Sequence, residues 1–120
     1  MERDTSPLGR QWLLDFHDCT TDRLSDIAAV REAMLHAVRA SGATIVTETF
    51  RQFEPHGVSG VVVIAESHVA IHTWPEHGYA AVDLFTCGDS VDANAIRDDL
   101  NSAFESGWIE ERFVERGQLR

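Results

Sequence analysis

Four of the six histidines, His56, His68, His72 and His77, crowd the middle of the chain, and Glu66, Ser67 and Cys87 stand among and just after them. A thiol, a hydroxyl and an imidazole are the side chains of nucleophilic and acid–base catalysis. Residues 58–74 (VSGVVVIAESHVAIHTW) form a β-type run, so His68, Ala70 and His72 share one face while Ser67, Val69 and Ile71 point to the other. PEHG at 75–78 reads as a turn and YAAVDLFTC at 79–87 as the returning strand. If Trp74 pairs with Tyr79, then His72 faces Ala81, His68 faces Phe85, and Cys87 falls opposite Glu66, beside the Glu66–Ser67 peptide. Ser67 lacks the glycine elbow that presents a serine to an external substrate. It is well placed to attack its own preceding carbonyl. Blander readings stand beside these. Cys87 alone reads as a small buried hydrophobe, and each histidine as a structural side chain. A metal site would draw on His68, His72 and Glu76 or His77, a spacing that matches no zinc motif, so no metal is expected.

The elements that must position these groups follow from periodicity and turn chemistry. The first nine residues read as a loose arm and residues 11–18 as a short strand. Residues 24–41 carry Leu24, Ile27, Met34, Leu35 and Val38 at helical spacing, with Gly42 as the stop. Residues 43–53 are β-branched and aromatic, hence strand, and EPHG at 54–57 is a turn. Ser90 or Asp92 caps a second helix with Ala93, Ile96, Leu100, Ala103 and Phe104 on one face, ending at Gly107. Residues 108–115 read as a last strand. The order is β-α-β-β-β-α-β: an α+β two-layer sandwich, with a mainly antiparallel sheet and two helices on one face. The other face needs cover, which a second copy of the chain could supply as a homodimer.

With 120 residues the chain is one domain, spanning 1–120. Its 43% hydrophobic and 25% charged residues fit a globular protein. The formal charge of −10 disfavours a nucleic-acid partner. No apolar run approaches the ~20 residues that span a bilayer. The N-terminus has no apolar signal region, so a cytoplasmic location is expected, away from membranes. Two cysteines, Cys19 and Cys87, read as free thiols there.

Residues 57–88, GVSGVVVIAESHVAIHTWPEHGYAAVDLFTCG, resemble the short prokaryotic S-adenosylmethionine decarboxylases. These are self-processing, pyruvoyl-dependent enzymes that make the aminopropyl donor for spermidine synthesis. The likeness extends through LGRQWLLDF, SGATIVTETFRQF and ERG, nearly the whole chain. It implies self-cleavage between Glu66 and Ser67 into a β chain of residues 1–66 and an α chain of residues 67–120. Ser67 would become the pyruvoyl group, the electrophile that forms a Schiff base with the substrate amine. The resemblance makes Ser59 and His72 processing groups, with His72 the base, and Cys87 the general acid that reprotonates the substrate carbon. Phe53 and His72 would stack on the adenine and Glu76 would bind the ribose hydroxyls. Phe50 or Trp74 could face the sulfonium, or be ordinary core aromatics. The chain departs from the family pattern at Ala65, where many relatives have serine, and at His77, where tyrosine is expected. It is also shorter than the magnesium-using bacterial relatives. Two alternatives remain: the same chemistry on L-arginine or L-ornithine, and a catalytically dead regulatory paralogue, against which Ser67, His72 and Cys87 all stand.

Overall fold

The structure, a computed structural model, describes residues 6–118. Of the expected N-terminal arm, residues 1–5 lie outside the described residues, and the rest is not an arm. Strand β1 already begins at Pro7 and runs Pro7–His17. It is followed by helices α1 (Thr21–Ser25) and α2 (Ile27–Ala40), then strands β2 (Ile45–Gln52), β3 (Val58–Ile64), β4 (Ser67–Trp74) and β5 (Tyr79–Thr86). Helix α3 (Ala93–Phe104) and strand β6 (Trp108–Gln118) complete the order. The six strands form one antiparallel sheet, β2-β3-β4-β5-β1-β6. The fold class is the expected α+β, with one more strand and one more helix than the sequence suggested.

The extra strand comes from residues 58–74, which are two strands instead of one run. Ile64 pairs with Ser67, so Ala65 and Glu66 form a two-residue hairpin loop. Glu66 takes the left-handed conformation there, at φ 67°. Such a position is normally marked by Gly or Asn, and here a glutamate fills it, so no turn signal stands in the sequence. The extra helix comes from a break at Asp26, whose carboxylate accepts from the Ala28 N–H at 3.2 Å and caps α2. Asp92, not Ser90, caps α3 through the Ala95 N–H at 3.1 Å. That helix ends at Glu105, in the left-handed conformation, two residues before Gly107.

The helices cover one face of the sheet. Leu14, Phe16, Val69, Ile71, Val82 and Leu84 point into that layer and meet Val30, Met34, Val38, Ile96, Leu100 and Phe104, all buried. Phe16 and Phe104 pack edge to face with centroids 5.8 Å apart. The alternation of strand side chains leaves the other face open. It carries half-buried Leu13, Val61, Val63, Ala70, Ala81 and Phe85, with exposed Trp74 and Trp108 toward one end. No described helix is long and apolar enough to cross a membrane.

Candidate active site

The hairpin loop between β3 and β4 brings the first cluster together. The Ser67 hydroxyl lies on the carbonyl of Glu66 and donates to its oxygen. The backbone N–H of Cys87 donates to Ser67 Oγ at 3.2 Å. The second contact follows from the β4–β5 register, in which Trp74 pairs with Tyr79, His72 with Ala81 and Ser67 with Thr86. This is the register expected from the sequence, and it sets Cys87 just beyond the last pair. The Thr86 hydroxyl shapes the exit of β5, donating to the Gly88 carbonyl at 3.2 Å and accepting from the Gly88 N–H at 3.3 Å. The Cys87 side chain is exposed. The other thiol, Cys19, is buried, and burial with help from Asp18 pushes its pKa up to about 11. Of the two, Cys87 is the one available for chemistry.

The second cluster sits at the opposite end of the same strands. Ser59 pairs with His72 across β3 and β4, and Ser59 Oγ lies 2.9 Å from His72 Nδ1. Beside them a cleft of about 280 Å³ is lined by Phe53, His56, Ser59, His72, Trp74 and Glu76. Phe53 is 44% exposed and Trp74 42%, so both rings are free to meet a ligand. Glu76 stands in a short 3-10 turn, Pro75–His77, which Gly78 closes in the left-handed conformation. The Arg51 guanidinium lies 5.6 Å from the centroid of the Phe53 ring. Phe50, by contrast, lies against Gly60 and packs on the core from the covered face. Next to the cleft, Tyr79 donates to Asp15 at 2.6 Å; burial and that bond raise its pKa to about 12, so it stays a donor.

The expected residues are therefore collected at two ends. Ser67 and Cys87 meet at one, and Phe53, Ser59, His72 and Glu76 gather at the other. Within one chain His72 does not reach Ser67. Five residues of strand at ~3.3 Å each put their Cα atoms roughly 17 Å apart. Among the described residues, no group of three or more His, Cys, Asp or Glu side chains could hold a metal ion.

The S-adenosylmethionine decarboxylase family model matches residues 10–117, a span that contains both clusters. The chain belongs to the S-adenosylmethionine decarboxylase family. It is 51% identical over 112 residues to an S-adenosylmethionine decarboxylase proenzyme of Acidithiobacillus ferrooxidans, covering 93% of this chain and 84% of that one. It is 58% identical over 91 residues to the proenzyme of that name from Pseudomonas aeruginosa, covering 75% of this chain and 57% of the relative. The crystal structure of the adenosylmethionine decarboxylase from Aquifex aeolicus superposes with a TM-score of 0.88 at 36% identity, over 96% of this chain and 95% of that one.

The resemblance points to Ser67 and Cys87 at one end and to Phe53, Ser59, His72 and Glu76 at the cleft, but not to His56 and Thr73 beside them. His56 enters the cleft from the loop at residues 53–57, although the sequence showed it only as one histidine among four. Thr73, buried beneath the cleft, accepts from the Val58 N–H at 2.9 Å and donates to the Leu24 carbonyl at 2.9 Å. A threonine in a strand carries no sign of such bonds, because Leu24 lies 49 residues away.

Proposed function

We propose that this protein is a self-processing, pyruvoyl-dependent S-adenosylmethionine decarboxylase that works as a homodimer with active sites shared between copies. The observation that carries the reading is the Ser67 hydroxyl held on the Glu66 carbonyl, with the Cys87 N–H on its oxygen. A residue in the left-handed conformation costs about 1 kcal/mol or more, and Glu66 stands in that conformation on the scissile side. Chain cleavage at this bond relieves it. Ser67 Oγ attacks the Glu66 carbonyl carbon; the C–O bond forms, the C–N bond breaks, and the hydroxyl proton passes to the freed amine. A base then takes the Ser67 α-proton and the Glu66 carboxylate leaves from Cβ, giving dehydroalanine. One water hydrolyses this to the pyruvoyl group and ammonia. The residues fit that group: Ser67 supplies its carbon skeleton and water its ketone oxygen, and the hairpin end leaves it open beside Cys87.

The pyruvoyl group supplies a ketone electrophile that withdraws electrons as the substrate loses carbon dioxide. The chain's own residues do the rest. Phe53 and His72 offer ring faces for the adenine, and Glu76 accepts from the ribose hydroxyls. Cys87 Sγ returns a proton to the substrate carbon. Ser59 Oγ on His72 Nδ1 fixes the imidazole orientation, leaving Nε2 to act as base. With His72 and Ser67 of one chain roughly 17 Å apart, a site that uses both takes them from different copies. Packing the open faces of two copies about a twofold axis across the strands sets the hairpin end of each against the cleft end of the other. The same packing buries Leu13, Val61, Ala70 and Phe85, which the helices leave uncovered.

A denaturing intact mass after cyanoborohydride treatment with S-adenosylmethionine, ornithine and arginine tests the reading. Two chains divided at Glu66–Ser67, with a nucleoside-derived adduct on the smaller, are expected. Ser67→Ala should give one uncut chain. An adduct from arginine or ornithine would move the substrate, and cleavage in Ser67→Ala would refute the assigned bond.

A further inference from the structure

We propose that Gln52 is a positioning residue for the substrate-binding loop, tying residues 53–57 to the break between α1 and α2. Its side chain points to the helix side of the sheet, while Phe53, one residue on, belongs to the cleft. The Gln52 amide is engaged at both atoms. Oε1 accepts from the Ile27 N–H at 3.0 Å. Nε2 donates to the Ser25 carbonyl at 3.0 Å and to the Gly57 carbonyl at 3.0 Å. One planar group thus holds three backbone positions, two in the helical layer and one in the loop.

The loop needs such a hold. Residues 53–56 are exposed and make little apolar contact, so hydrogen bonds at the loop's ends decide its position. Gly57 is the closing point. Its carbonyl also accepts from the Phe53 N–H at 2.9 Å, so both lone pairs are used. Gly57 sits at φ 97°, and a Cβ there would stand 3.0 Å from the Thr73 carbonyl oxygen. The close approach places the loop's end against β4, directly beside His72. The helical side is equally defined. α1 has five residues, too short to be stable alone. Its last carbonyls, on Leu24 and Ser25, are taken up by Thr73 and Gln52. Gln52 therefore joins a helix terminus anchored in the fold to the loop that presents Phe53 and His56. The effect on substrate rests on the reading of this cleft as the nucleoside site.

Gln52→Ala removes all three bonds. Gln52→Glu keeps the length and the acceptor, but sets a carboxylate against the Ser25 and Gly57 carbonyls. Losing a hydrogen bond of about 1–1.5 kcal/mol predicts KM for S-adenosylmethionine about tenfold higher in either variant, with kcat within about twofold. Self-cleavage, read by intact mass, should be unchanged. Hydrogen exchange of the processed dimer should be faster across residues 53–57 and unchanged in β4 and β5. A merely structural role would lower the melting temperature and the active fraction and leave KM alone. Wild-type KM in both variants overturns the proposal, as does unchanged exchange in the loop. If the wild-type enzyme does not decarboxylate S-adenosylmethionine, the reading of the cleft falls, and the exchange measurement still decides whether Gln52 holds the loop.

Discussion

At the turn end of β3 and β4, Ser67 meets the carbonyl of its own neighbour, Glu66. At the other end, Ser59 meets His72 across 13 residues of sequence, and the cleft beside them draws on the loop after β2, on β3 and β4, and on the 3-10 turn. The first arrangement is local: one hairpin loop and the end of β5 suffice to build it. The second is assembled by the sheet, and the helical layer supports it through Thr73 and Gln52. The difference matches two kinds of work. Cutting one's own chain needs a nucleophile and a carbonyl already adjacent. Recognising a nucleoside needs several groups held at fixed separations, which no single segment supplies.

The comparison breaks or holds most sharply by mixing variants. Ser67→Ala and His72→Ala should each leave uncut chains when made alone. Co-expressed, the His72→Ala copy should be cut at Glu66–Ser67, because the Ser67→Ala copy brings an intact His72 to it. Intact masses giving no cleavage in the mixed dimer would refute the sharing of His72 and Ser67 between copies. Cys87→Ala tests the division of labour at the turn end. The Cys87 backbone N–H remains, so cleavage should proceed, whereas loss of the general acid should lower kcat by about 10²-fold. Normal turnover would remove Cys87 from that role. The smallest effect lies away from both ends. His36 Nδ1 lies 2.7 Å from Asp99 Oδ2 and links α2 to α3. The hydrogen bond and then the charge of Asp99 raise the His36 pKa. The link is therefore fully present below the ordinary histidine value of about 6.5 and is lost as pH rises through the raised one. The melting temperature of His36→Ala should fall slightly below wild type at pH 5.5 and match it well above neutrality. Self-cleavage should be the same in both at either pH.

Much of the architecture was legible because it obeys short-range rules. The alternation in β4 and β5 and the PEHG turn together set the register that brings Cys87 to Ser67. The helical spacing of Ile96, Leu100 and Phe104 marked a face that is indeed buried. The division of residues 58–74 was not legible. VVVIA and HVAIH are apolar on both sides of the loop, and Ala65–Glu66 lacks the glycine or asparagine that announces a tight turn. The break at Asp26 was hidden for a related reason, since apolar periodicity continues across it from Leu24 to Val30.

By itself the sequence determined the family, the candidate side chains and the pairing of β4 with β5, because motif, alternation and turn chemistry act over a few residues. The tertiary structure alone decided which residues join His72 in the cleft, and that one sheet face stays open. It also decided that Gln52 and Thr73 reach α1. Each of these depends on distances between segments far apart in the chain, which only the packed sheet and its helices set.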